Sequence, residues 1–127
     1  MREIKFRAWD IKRKGMEYID DLYWFEEEGV HEIEDGKARG AYATYEIMQY
    51  TGLKDKNGRG IYEGDIVRVP AGYGGDYRYP EYLGAVSYQV NEFVVECGEC
   101  FQDFQWSELE VIGNVHEHPE LLHDTQD

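Results

Sequence analysis

The chain has 127 residues, 27 Asp and Glu against 13 Lys and Arg, and a net charge of −14. Such a surplus of negative charge argues against direct nucleic-acid binding, which needs clustered cations to displace counterions. With 42% apolar and 15% aromatic residues the chain is too hydrophobic for disorder, and it is long enough to bury a core without disulfides.

The first predicted element is a β-hairpin. Ile4, Phe6 and Ala8 alternate with Lys5, Arg7 and Trp9, and Met16–Asp20 alternates again across the polar turn 10–15. Alternation puts Trp9 on the face opposite Phe6 and Ala8. An aromatic left exposed there would mark a subunit contact. Six basic residues (Arg2, Lys5, Arg7, Lys12, Arg13 and Lys14) fall in the first fourteen positions, a local basic edge on an acidic chain. No continuous apolar run opens the sequence, so neither a signal peptide nor a membrane span is expected, and the protein is placed in the cytoplasm.

Leu22, Tyr23, Trp24 and Phe25 are bulky and β-prone, predicting a strand, with a short helix from Asp20 as the alternative. A short strand follows over 30–34, then a turn at Asp35-Gly36 and a polar connection through Gly40. Residues 42–50 read as a strand, with Tyr42, Thr44, Glu46 and Met48 on one face and Ala43, Tyr45, Ile47 and Gln49 on the other; the segment also tolerates a helix. Asn57-Gly58 predicts a type I′ turn. Glu63-Gly64-Asp65 predicts a second tight turn into the strand Ile66–Val69.

Residues 70–80, PAGYGGDYRYP, predict a loop. Its Tyr73, Tyr77 and Tyr79 are candidate partner-binding residues, because tyrosine gives contact area at small entropic cost; Trp9 joins them. Strands are predicted over 82–88, 92–96 and 101–106, a bulge or bend at Gly113-Asn114, and a helical turn from Pro119 to Leu122.

Two constellations bear on chemistry. Cys97-x-x-Cys100 with His116 and His118 supplies a Cys₂His₂ donor set for zinc, and His-x-His shares a face if it lies on a strand. The plainer reading is two reduced thiols flanking a turn, with surface histidines. The interleaved carboxylates show no metal-ligand spacing and read as a solvated face. No nucleophile elbow and no Walker pattern is present. Neither a catalytic residue nor a cofactor is assigned.

Three blocks carry a resemblance. REIKFRAWD (2–10), MQYTGLKDKNGRGIYEGDIV (48–67) and VIGNVHEHPELL (111–122) resemble the YopX family of phage and prophage proteins. The chain departs from the family pattern at Gly60, where a charged residue is expected, and at His116 and His118. The resemblance implies a small phage-encoded domain without an established activity that self-associates, a trimer being one candidate state. Together these readings predict a mainly β protein: an N-terminal β-hairpin region over 1–47, an SH3-like small barrel over 48–118, and a short C-terminal helix with a tail over 119–127. The expected role is non-enzymatic, a self-associating interaction module with a host or phage protein as a further partner. The alternatives are an acidic regulator that sequesters a basic DNA-binding protein, and a zinc protein.

Overall fold

A computed structural model describes residues 5–70, 81–89, 92–96 and 104–123. The chain divides between Tyr50 and Thr51 into two units. The protein is mainly β, with two antiparallel sheets and short helices.

The N-terminal unit begins with the expected hairpin. Strands β1 (Phe6–Asp10) and β2 (Gly15–Ile19) pair antiparallel, with Ala8 opposite Glu17. The turn is set by Asp10, whose Oδ1 accepts the backbone N–H of Lys12 at 3.1 Å and of Arg13 at 2.9 Å. Strand β1 also pairs with β5 (Thr44–Lys54), and β5 with β4 (Lys37–Arg39), which pairs with β3 (Glu32–Glu34). The order is β2-β1-β5-β4-β3, with β6 (Gly60–Tyr62) joined to β5 off this path.

Register places Ala8, Ile19, Ala38, Tyr45 and Ile47 on one sheet face. Ala8, Ile19 and Tyr45 form a buried cluster there. The segment expected as a strand caps it as a short helix, α1 (Tyr23–Glu27). Asp21 starts the helix by accepting the Tyr23 N–H on its side chain at 2.9 Å and the Trp24 N–H on its carbonyl. Trp24 then meets Tyr45 edge-on at 4.9 Å and Phe25 at 5.1 Å. Burying both rings on one cluster requires consecutive residues to point the same general way, which a strand forbids. Strand β4 replaces the expected polar connection: its Ala38 is fully buried between exposed Lys37 and Arg39.

The C-terminal unit packs Ile61, Val67, Val69, Val86, Val95, Leu109 and Val111 into its own core. Its sheet runs β10-β7-β8-β9, from β7 (Asp65–Val69), β8 (Tyr82–Gln89), β9 (Glu92–Glu96) and β10 (Glu110–Asn114). The expected closed SH3-like barrel is not formed among the described residues: β10 and β9 end an open four-stranded sheet. The strand expected over 101–106 is also absent where the residues are described, since Phe104 and Gln105 lead into a 3₁₀ turn, Trp106–Glu108. The bulge expected near Gly113 is present as a register shift between Val111 and Gly113. The terminal helix α2 is Glu120–His123, with the Leu122 N–H bonded to the Pro119 carbonyl.

Candidate functional site

Two acidic residues of the central segment, Asp55 and Asp65, are spent on backbone. Asp55 is buried, and its Oδ1 accepts the N–H of Asn57 and of Arg59, each at 2.9 Å. Its Oδ2 accepts the Val111 N–H from β10 at 2.9 Å, and the neighbouring Lys56 N–H reaches the Leu109 carbonyl. One carboxylate therefore shapes a turn and ties it to a strand 56 residues away. Burial pushes the Asp55 carboxyl up. The three N–H groups and the Arg59 charge outweigh this, and it titrates below its ordinary range.

The turn itself differs from the one expected. Gly58 sits at φ 81° while Asn57 keeps a negative φ, so the two-residue I′ geometry is excluded. The Gly58 N–H bonds the Asp55 carbonyl, and the Asp55 N–H bonds that of Arg59. This is a three-residue hairpin loop that ends in a left-handed glycine. Asp65 acts similarly, its Oδ2 accepting the Tyr62 N–H at 2.8 Å. Between them Gly64 (φ 85°) donates its N–H to the Val86 carbonyl and accepts the Val115 N–H. Among the described residues no group of three or more His, Cys, Asp and Glu side chains is arranged to hold a metal.

His116 and His118 do not share a strand face, because β10 ends at Asn114 and both lie in or beyond the turn that follows. Asn114 organises this turn. Its Oδ1 accepts the N–H of His116 and Glu117, its Nδ2 donates to Glu117, and its N–H donates to His118 Nδ1 at 3.2 Å. Accepting at Nδ1 places the neutral ring's proton on Nε2. The ring rests on Gly113, where a Cβ would stand 2.7 Å from Nδ1. His118 is thus a turn-packing residue. Cys97 and Cys100, the other half of the zinc set, lie outside the described residues, as do Tyr73, Tyr77 and Tyr79.

Trp9 is described, and it is 8% exposed on β1, a strand flanked by partners on both sides. An exposed edge position was the ground for reading it as a contact residue, and that ground is gone. The exposed apolar side chains lie elsewhere in the N-terminal unit: Ile11, Tyr18, Leu22, Tyr23, Ile33 and Tyr42, the last 88% exposed.

Sequence reasoning missed the cleft beside Tyr42. It has a volume of about 450 Å³, and Asp10, Arg13, Glu17, Glu28, Tyr42 and Tyr45 line it. Asp10 faces Tyr45 across the β1–β5 register. The buried Tyr45 hydroxyl hydrogen-bonds Glu28; burial, then the charges of Glu28, Asp10 and Glu17, pushes it up to about 12. The phenol stays protonated, and it serves as a donor to Glu28. A second groove of about 430 Å³, lined by Ile11, Lys12, Tyr42, Ala43 and others, shares Tyr42 and Ala43 with the first. The signal for this cleft is pairing register, which one sequence does not display.

Among curated proteins no match was found. The crystal structure of protein EF1440 from Enterococcus faecalis is similar, with a TM-score of 0.60 and 30% sequence identity over 96% of this chain and 99% of that chain. The family model described as YopX protein matches residues 5–123, which takes in residues 5–10 of the first block that carried the resemblance and the whole of the other two, and the chain belongs to the YopX family.

Proposed function

We propose that this is a phage- or prophage-encoded, non-enzymatic interaction module that self-associates through its N-terminal unit. The carrying observation is the distribution of exposed large apolar side chains: six of the eight among the described residues fall within residues 1–50. Isolated exposed hydrophobics are ordinary, whereas a concentration of them marks an interaction surface. Asp55, Asp65 and Asn114 support the same reading, since each bonds backbone N–H groups and serves the fold. The C-terminal unit acts as a scaffold of SH3-like connectivity, open among the described residues: its strands β7 and β10 pair, and a 3₁₀ turn precedes β10.

A second reading is favoured by charge. Residues 51–127 hold 15 Asp and Glu against five Lys and Arg, a net −10 of the total −14. That surface suits a basic partner held by long-range attraction.

Multi-angle light scattering of the purified chain, across a dilution series in the micromolar range, separates the two. The first reading expects a mass above that of one chain, falling on dilution. A single-chain mass at every concentration removes it and leaves the second.

A further inference from the structure

Asn57 and Gly58 are exposed at the tip of the loop between β5 and β6. An asparagine followed by glycine is the pair most open to ring closure on itself. The next backbone nitrogen can reach the side-chain amide, and glycine puts no side chain in its way. Space around Gly58 is open: a Cβ placed there would meet no atom within 4 Å. Among the described residues the Asn57 side chain makes no hydrogen bond; its backbone N–H alone is held, by Asp55. The chain's two other asparagines differ. Asn114 is 4% exposed, both of its amide atoms are bonded, and β-branched Val115 follows it. Asn91 precedes Glu92, whose side chain hinders the attacking nitrogen. Asp35-Gly36 has the glycine, but an ionised carboxylate resists attack.

We propose that Asn57 is a site of spontaneous covalent modification, deamidation through a cyclic imide, and that the Asp55 loop sets its rate. The Gly58 nitrogen attacks Asn57 Cγ. The new C–N bond forms as the Cγ–Nδ2 bond breaks, and Nδ2 leaves as ammonia with the Gly58 amide proton. Water, the only co-reactant, then opens the imide. Attack at the side-chain carbonyl gives aspartate; attack at the main-chain carbonyl gives isoaspartate, whose backbone runs through Cβ and Cγ. The native loop restrains the first step. Its attacking Gly58 N–H is donated to the Asp55 carbonyl at 3.0 Å, and the Asp55 carboxylate fixes the residues on either side through the N–H groups of Asn57 and Arg59. Ring closure therefore waits on local opening of the loop, an event of low cost at an exposed tip. Isoaspartate adds one carbon to the main chain inside this short loop and turns the α-carbonyl into a carboxylate. That charge lies next to Asp55, whose own carboxyl is held ionised by its N–H partners. Asp55 also ties the loop to β10 through the Val111 N–H, so the lesion loosens that tie. Each event leaves the chain one unit more negative than −14.

Ageing the full chain at mildly alkaline pH, natively and in unfolding urea, tests this. Digestion after glutamate releases a peptide between Glu46 and Glu63 that holds Asn57. Mass spectrometry reads deamidation in it, and a methyltransferase specific for isoaspartate reads the rearranged product. Native Asn57 is expected to convert ahead of Asn91 and Asn114, and roughly tenfold more slowly than in urea. Asp55→Ala is expected to narrow that gap severalfold; if this variant does not fold, sub-denaturing urea on the wild type gives the same reading. Asn57→Gln, whose longer side chain closes its ring far more slowly, is expected to remove the product. The aged isoaspartyl fraction is expected to unfold at a lower urea concentration than Asn57→Asp, which adds the charge without the extra carbon. A native Asn57 that stays amidated through roughly a hundred of the unfolded chain's half-times, or that converts after Asn91 or Asn114, overturns the site. Native and unfolded rates that agree overturn the control by the Asp55 loop. An aged fraction as stable as Asn57→Asp overturns the loosening of the tie to β10.

Discussion

A single carboxylate can be worth more to this fold than any of its surface ion pairs. Asp55 accepts three backbone N–H groups, two from its own loop and one from β10. Hydrogen bonds to a charged acceptor contribute more than neutral ones, and removing one member of a buried set leaves the others unsatisfied. Asp55→Asn keeps the shape but turns one acceptor into an NH₂ donor that faces another donor. We expect a loss of about 2–4 kcal/mol at neutral pH, read from urea denaturation. The pH dependence follows from the depressed carboxyl. Its contribution is complete above the ordinary aspartate value of 3.8 and is lost as pH falls through the lower folded value. The gap between wild type and variant should therefore be constant near neutrality and close in acid. A gap that stays open in acid would mean that Asp55 is held by shape rather than by charge.

At the scale of elements, what the sequence made legible was what local rules govern. The hairpin β1–β2, the strands β7 to β9, the bulge at Gly113 and the helical turn after Pro119 all follow from alternation and turn chemistry. The misreadings occur where a tertiary contact overrode local preference. Trp24 and Phe25 are β-prone, yet a cluster of Ala8, Ile19 and Tyr45 needed a cap, and Asp21 was placed to begin a helix. Lys37-Ala-Arg39 looked like loop because its two outward residues are charged; only the buried Ala38 reports the strand. Asn57-Gly58 promised a type I′ turn, but the Asp55 side chain, bonding both Asn57 and Arg59, selected a loop one residue longer. The cleft around Tyr45 is assembled from three separate segments, so no local pattern announced it.

The turn after β10 offers a quantitative check of such a tertiary contact. Gly113 has no special φ among those with positive values, so its requirement is space alone. A Cβ there would meet the His118 ring at 2.7 Å and 2.9 Å. Gly113→Ala should cost about 1–3 kcal/mol by overpacking and by displacing Nδ1 from the Asn114 N–H. Because the obstacle is the ring, His118→Ala should relieve most of that cost. The double-mutant cycle is expected to show a favourable coupling of about 1 kcal/mol or more. Additive effects would show that something other than the His118 ring resists the methyl group.

For the whole molecule the decisive quantity is the uneven charge, −10 in residues 51–127 against −4 in residues 1–50. Like charges in the C-terminal unit repel, and five Lys and Arg cannot balance fifteen acids, even where Arg68 pairs with Glu110 at 2.8 Å and with Glu81 at 3.4 Å. Raising ionic strength from about 0.01 M to 0.1 M shortens the screening length from about 30 Å to about 10 Å, so long-range repulsion fades while the hydrogen bonds of Asp55 and Asn114 persist. Stability should therefore rise with salt. An increase of about 1 kcal/mol would appear as a shift of several degrees in Tm for a unit of this size. Self-association carried by exposed apolar side chains should respond in the same sense, because the same ions screen the repulsion between copies that each carry a net −14. Thermal melts and sedimentation on one set of salt concentrations check both at once, with sodium chloride expected to raise both Tm and the assembled fraction. An assembly that weakens while Tm rises would show that attraction between unlike charges, and not burial of the exposed apolar side chains of residues 1–50, holds the copies together.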